Sequence, residues 1–394
     1  MTALEIRATV ALASIFALRL LGLFLILPVF AVYAHSVPGG TDATLVGLAL
    51  GIYGLTQALL QIPFGAASDR WGRKPVIAAG LVVFALGSFI AAAATDITWT
   101  IVGRAIQGAG AISAAVTAFI ADATRDEHRT KAMGFVGASV ALTFAGSLVL
   151  APLLYPWIGV KGLFTLTGVL VVAAIGVLLW VVPPAPPKSM HAVQHGARAV
   201  VFDAQLLRLN FGIFVLHTVL MAMFVVIPVL LIDAGGLALP QHWQVYLPVV
   251  LLSFALMVKP LMLAERRGMM RPLFIGSIAL VLVSLLGFLL RGDGLTWLAL
   301  WLLLFFTGFN ILEACLPSLV SRFAPASAKG LALGIYNTSQ ALGLFAGGAL
   351  GGAIVARWGS EAVFVFAAIV AAVWGLVALG MREVPVTAQA PLPA

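Results

Sequence analysis

Ionisable side chains are scarce in this sequence, and their positions are informative. Only 9% of the 394 residues are Asp, Glu, Lys or Arg. The densest run is Gly65-Ala-Ala-Ser-Asp69-Arg70-Trp71-Gly72-Arg73-Lys74-Pro75, one acid and three bases between two apolar stretches. A simple turn needs little charge, so the alternating signs suit a loop in which Asp69 and Arg73 each answer a partner. A second set lies inside apolar runs, where a charge is costly unless it faces a cavity or a partner: Arg19, Arg104, His217, Lys259 and Glu313. Glu313 is the one carboxylate deep in such a run. With Asn310 on the same helical face, it suits proton carriage, the alternative being a structural ion pair with a buried base. Histidines titrate near neutral pH, so His217 is either a second proton carrier or a hydrogen-bonded packer. Arg104 and Gln107 share one face, and Gln57 and Gln61 another. With Asn337 and Gln340, they would give hydrogen-bonding groups to a cavity that Arg19 and Arg104 make locally positive, or Arg104 caps carbonyls and ties its helix to its neighbours.

The elements that must position these groups are membrane helices. Hydrophobic residues make up 62% of the chain and the mean hydropathy is +1.12, which leaves too little polar surface for water on all sides. Twelve apolar blocks recur at 8–34, 43–67, 75–95, 98–121, 131–155, 161–182, 206–232, 243–264, 272–290, 295–321, 329–356 and 360–381. Each is about the length that crosses a hydrocarbon core of roughly 30 Å. Continuous runs, not alternating ones, predict helices and not a barrel. Of the 22 Lys and Arg residues, 16 fall at the termini and in the loops after even-numbered spans, which predicts that both termini are cytoplasmic. The net charge of +8 is spread over these short loops and forms no basic face for nucleic acid. The first span resembles a signal peptide only at Ala31-Val-Tyr-Ala34; it is too long for one and carries Arg19. Cys315 reads as a small apolar packer.

A proline-rich stretch, residues 183–205, divides the spans six and six and reads as a cytoplasmic linker between an N-terminal bundle (1–182) and a C-terminal one (206–382), followed by a short tail (383–394). The linker's His191 and His195 have the spacing of two metal ligands but no third nearby, so no metal is expected. The bundles repeat one another. Glu265-Arg266-Arg267-Gly268 stands 196 residues after Asp69-Arg70-Trp71-Gly72, and Gly334 with Ser339-Gln-Ala-Leu342 stands 200 after Gly134 with Ser139-Val-Ala-Leu142. Across the bundles, Gly51-Ile-Tyr-Gly-Leu-Thr56-Gln57-Ala-Leu59 parallels Gly334-Ile-Tyr-Asn337-Thr-Ser339-Gln340-Ala-Leu342. Matches of this kind are the trace of three-helix repeats, the arrangement associated with alternating access.

Gly65-x-x-x-Asp69-Arg70-x-Gly72-Arg73-Lys74 resembles the signature loop between helices 2 and 3 of the major facilitator superfamily. Arg104-Ala-Ile-Gln107-Gly108-Ala-Gly110 is similar to the family's second signature, and Leu21-Gly22 with Pro28-Val29 resembles a pattern of its twelve-helix drug:proton antiporters. Leu18-Arg19-Leu-Leu-Gly22 and the run from Gly51 to Gln57 look closest to the YajR-type transporters of the bacterial inner membrane. The resemblance implies an all-α integral membrane protein, twelve transmembrane helices in two pseudo-symmetric six-helix bundles. It also implies a gate in which Asp69 approaches the start of helix 11, at Ser327-Ala-Lys329, while Arg73 bonds Asp122 at the end of helix 4. Three departures stand beside it. The antiporter signature of helix 5 is reduced to Ala151-Pro152-Leu153-Leu154, helix 1 carries Arg19 where many relatives have an acid, and the extra domain of YajR-type relatives has no counterpart before residue 394.

The function expected is secondary transport of a small solute by alternating access, outward and driven by protons, in a monomer of the bacterial cytoplasmic membrane. A lipid flippase, or a non-transporting receptor or assembly factor on the same fold, are the alternatives. No cofactor is expected, since no phosphate-binding loop is present. No catalytic triad, metal or paired-carboxylate spacing points to an enzyme.

Overall fold

The computed structural model describes residues 1–184, 200–290, 294–325 and 328–383, without the side chains of 126, 129 and 130. The His191/His195 pair, Ser327, most of the proline-rich stretch and nearly all of the tail lie outside the described residues. Every regular element described is helical.

The first span is two helices, α1 (Ala3–Phe24) and α2 (Leu27–Ala34). They part because Pro28 supplies no amide hydrogen to the Phe24 carbonyl. The second span, α3 (Ala43–Trp71), starts on Asp42, whose carboxylate accepts from the Thr44 amide, and runs to the signature turn. The third is α4 (Arg73–Ala93). Residues 65–75 are therefore not the loop that charge suggested: small residues carry the helix on, and Gly72, at φ 96°, is the only residue between α3 and α4. The fourth span breaks at Gly110-Ala111-Ile112 into α5 (Ile97–Ala109) and α6 (Ser113–Ala123).

α7 (Asp126–Gly176) continues through a π turn, Val177–Val181. Its 51 residues would reach about 75 Å if straight, more than twice a hydrocarbon core. Its neighbours show that it crosses twice. The Met1 ammonium is 3.0 Å from His128 Nε2, the Phe24 and Phe144 rings meet at 5.1 Å, Gly22 lies against Thr167, and Arg7 Nε donates to the Val181 carbonyl at 2.9 Å. The chain thus climbs along α1 and returns beside it. It reverses at Gly159, whose φ of 61° and ψ of −176° no helix contains. The last six spans are α8 (Ala204–Asp233), α9 (Trp243–Arg267), α10 (Met270–Leu289), α11 (Leu295–Phe323), α12 (Lys329–Trp358) and α13 (Ser360–Leu379). An even number of crossings on each side of the proline-rich stretch puts residues 1, 182, 204 and 382 at one end of the molecule, here called the terminal end. Exposed Trp71 and Trp180 lie near it, and exposed Trp99, Trp157 and Trp358 lie near the opposite, far end, as interfacial indoles do.

Glycine sets how the two six-helix bundles meet. In the far half of the molecule, α3 and α12 touch backbone to backbone: a Cβ on Gly47 would stand 2.2 Å from the Gly348 carbonyl oxygen, one on Gly51 2.7 Å from that of Phe345, and one on Gly54 2.3 Å from that of Ala341. Only small residues permit such an approach. Toward the terminal end the seam ends. Ile62 and Asp69 of α3 are exposed, and a Cβ on Gly330 or Gly334 of α12, or on Gly134 or Gly137 of α7, would meet nothing within 4 Å. The bundles are joined at the far end and separate at the terminal end.

Candidate functional site

Three helices of the second bundle bring polar groups together at mid-depth: His217 from α8, Glu313 from α11 and Gln340 from α12. Gln340 Nε2 donates to His217 Nε2 at 2.8 Å and to Glu313 Oε1 at 3.3 Å. His217 Nδ1 donates to the Ile213 carbonyl at 3.3 Å, which fixes the tautomer that leaves Nε2 free to accept. Glu313 Oε2 stands 3.9 Å from His217 Nε2 and has no hydrogen-bond partner. The His217 side chain is 5% exposed and that of Glu313 29%, but Glu313 Oε2 itself is buried, so the side chain borders accessible space while its free oxygen faces inward. Tyr336 is buried beside it, and half-buried Asn337 lies one turn from Gln340. Asn310 does not join them: its Nδ2 donates to Ser253 Oγ on α9 at 2.9 Å, tying α11 to α9.

The floor of this group is aromatic. Phe309, one turn along α11 from Glu313 toward the far end, lies 6.0 Å from the His217 ring. Phe144 of α7 reaches across from the first bundle to Phe309 at 5.8 Å, Phe306 at 6.0 Å and Phe224 at 6.5 Å, with Phe24 behind it. Five rings from four helices therefore separate the polar group from the far end.

The first bundle holds the second polar cluster, and it is sealed. Arg19 and Arg104 are both 0% exposed. Arg19 donates to the Gly110 carbonyl at 3.1 Å, Ser113 Oγ at 2.8 Å and Gln57 Oε1 at 3.0 Å. Gly110 and Ser113 flank the break in the fourth span. Arg104 donates to the carbonyls of Ala49 and Leu50 and to Gln107 Oε1, while Gln107 Nε2 passes a bond to Ser88. The Tyr53 ring lies 5.6 Å from one guanidinium and 5.0 Å from the other. Neither arginine lines open space, and no acid bonds either among the described residues. Both act as fixed cations solvated by neutral acceptors. Gln61 is also buried, and neither of its amide atoms has a hydrogen-bond partner. Lys259, expected inside its bundle, is exposed on α9.

At the terminal end, Arg73 is shared between Asp69 Oδ1 at 2.6 Å and Asp122 Oδ2 at 2.8 Å, and also donates to Ser68 Oγ. Asp69 is thus held within its own bundle. Arg70 is exposed, Gly65 faces Ala114, and Lys74 donates to the Val182 carbonyl at the exit of the sixth span. Near by, Arg125 donates to both oxygens of Glu5, which holds its guanidinium above the ordinary arginine range. The second bundle reproduces these contacts. Arg271 donates to the Leu379 carbonyl at 2.8 Å; positions 74 and 271, and 182 and 379, are each 197 residues apart. Glu265, an acid at the place of Asp69, bonds Arg322 at 3.2 Å, and position 322 lies 200 residues after Asp122, so a base there makes directly the link that Arg73 bridges between two acids in the first bundle. Arg322, Arg271, Tyr53 and Phe144 were not singled out from sequence. The first two lie at the repeat offset, where carrying the alignment to the ends of the spans finds them. Among the described residues no three His, Cys, Asp or Glu side chains gather as a metal site.

The comparisons with known proteins agree with this architecture. The family model described as Major Facilitator Superfamily matches residues 12–347 and 262–394. The chain is 44% identical to the Inner membrane transport protein YajR of Escherichia coli (strain K12), over 98% of this chain and 85% of that protein. It is 29% identical to the Multidrug resistance protein MdtH of Photorhabdus laumondii, over 85% and 82%. Among solved structures, the inward-facing, occupied form of a bacterial homolog of the human lysosomal transporter Spinster superposes with a TM-score of 0.77 at 13% identity, covering 96% of this chain and 97% of that one. Twelve spans among the described residues in two bundles, a helix 2–3 signature turn and an α3–α12 seam in a chain so related make it a member of the major facilitator superfamily of membrane transporters.

Proposed function

We propose that the protein is a secondary transporter of the bacterial inner membrane that exports a small solute in exchange for protons, with both termini cytoplasmic and one chain as the working unit. The observation that carries the reading is the Glu313–His217–Gln340 group. It pairs a partly exposed glutamate side chain with an imidazole acceptor at mid-depth, at the bottom of the space that opens between the bundles. A proton arriving from the open side neutralises Glu313, and its departure restores a charge that a membrane interior tolerates only beside a cavity or a partner. The names of YajR, an inner membrane transport protein, and MdtH, a multidrug resistance protein, support an inner-membrane location and a small-molecule solute. With cytoplasmic termini, the separated ends of the bundles face the cytoplasm and the glycine seam closes the other side. In the alternate state Asp69 meets the start of α12, where unpaired amides and Lys329 favour a negative group by about 0.3–1 kcal/mol.

The test uses purified protein in liposomes, with a screen of solutes that reports proton movement. Glu313→Gln is expected to abolish proton movement coupled to solute while leaving solute binding measurable. Coupling retained by this variant would remove Glu313 from the proton path.

A further inference from the structure

Resting on that reading, we propose that Gln340 is the positioning residue that turns protonation of Glu313 into movement of α12 against the first bundle. Its amide nitrogen carries two hydrogens, and both are committed: one to His217 Nε2 at 2.8 Å, the other to Glu313 Oε1 at 3.3 Å. Glu313 Oε2, 3.9 Å from the same His217 nitrogen, has no partner. A proton delivered from hydronium at the open side to the buried Oε2 leaves water behind, forms an O–H bond, cancels the carboxylate charge and makes Glu313 a donor. The acceptor nearest to hand is His217 Nε2, which has a single in-plane lone pair already held by Gln340. Glu313 and Gln340 cannot both keep it. At the same step, the Gln340–Glu313 bond loses the charge that strengthened it.

Displacement of Gln340 acts directly on the seam. The next residue, Ala341, touches α3 at Gly54. On its other side α12 is fitted to α8 through Gly343 on Phe214 and Gly347 on Thr218, with Thr218 Oγ1 also donating to the Gly343 carbonyl at 3.3 Å. Among the described residues, the titratable groups that interact with Glu313 from the packed helices are His217 of α8 and Tyr336 of α12. Both stay uncharged in this exchange, so the switch depends on which donor holds one lone pair.

The experiment needs no solute. Spin labels at Glu127→Cys and Arg267→Cys, exposed positions on opposite bundles, in a Cys315→Ser background, report the terminal-end distance by pulsed electron resonance in liposomes across pH. The unsubstituted site is expected to show a pH-dependent change in the distance distribution, and Glu313→Gln to show one distribution at all pH values. Gln340→Leu is expected to lose the pH-dependent change while infrared difference spectra still show a carboxyl group titrating. Gln340→Asn, shorter by one methylene and folded where the Leu variant is not, is expected to reduce the change severalfold. A pH-dependent change of full size in a Gln340 variant overturns the role of Gln340 and leaves that of Glu313 standing. Its persistence in Glu313→Gln, or its absence from the unsubstituted site, overturns both.

Discussion

Arg104 shows how a single residue can be chemically conspicuous and structurally enclosed. Its three donors reach two helices, and no terminal amine could repeat that geometry. The Ala49 and Leu50 carbonyls also sit in a helical ladder, so removal of the guanidinium orphans chiefly Gln107 Oε1. Arg104→Leu is therefore expected to lower the unfolding free energy by about 1–3 kcal/mol, the cost of one buried unpaired group. Thermal melting in detergent measures it, and Arg104→Lys should fall on the same side. The Arg104–Gln107 bond was legible as a three-residue spacing on a helix. The seal was not, because it depends on how α3 is rotated to bring Tyr53 between the arginines. Glu313 was legible for the opposite reason: a carboxylate deep in an apolar run has few neutral explanations. Its partners come from helices more than twenty residues away, and Asn310, adjacent on the same face, bonds elsewhere.

At the scale of elements, glycine decides the arrangement more than hydropathy does. Abundant small residues in α12 read as a packing surface, but nothing in one sequence says which helix they pack on. The structure pairs them with Gly47, Gly51 and Gly54 of α3. Gly51→Leu is expected to wedge the far end open, since its Cβ alone would stand 2.7 Å from a backbone oxygen. Thiol labelling of a cysteine at Ala341, sealed in the unsubstituted protein, should rise from undetectable to substantial. Unchanged protection would mean that the seam accommodates bulk by other means. Span positions were legible because length and hydropathy are dictated by the bilayer. The breaks at Gly110 and Gly159 were not, since a glycine within an apolar run looks the same whether it is helical or turns the chain. For the same reason the signature segment reads as a loop, although only Gly72 leaves the helical path.

Across the whole molecule, the two bundles share a contact plan and differ in charge. Tyr53 and Gln57 belong to the segment that parallels Tyr336 and Gln340. In the first bundle they surround permanent cations; in the second they surround an imidazole and a carboxylate. The terminal-end clamps likewise link the same places, through Arg73 between two acids in the first bundle and directly in the second, where Arg322 stands at the place of Asp122. Such pairs, each with one exposed partner, contribute only about 0–1 kcal/mol to stability, so in the proposed gate their effect is on which state is populated. Asp69→Asn is accordingly expected to leave melting almost unchanged and to shift the population toward the terminal-end-open form. Accessibility of a cysteine placed at Gly334 reports the shift; no change there would remove Asp69 from the latch. The duplication was legible as offsets in the sequence, whereas the open end was not, since both states of such a protein have the same hydropathy.

The sealed arginines have one more consequence. Arginine keeps its proton, and Arg19 and Arg104 have no acid bonded to them among the described residues, so the first bundle carries two uncompensated positive charges within the membrane. A transmembrane voltage pulls on such charges with about 2.3 kcal/mol per charge for each 100 mV fully traversed. Any tilt of that bundle moves both through a fraction of the field. The membrane potential itself then becomes a second input to the conformational balance, acting on this bundle while, in the proposed mechanism, the proton acts on the other.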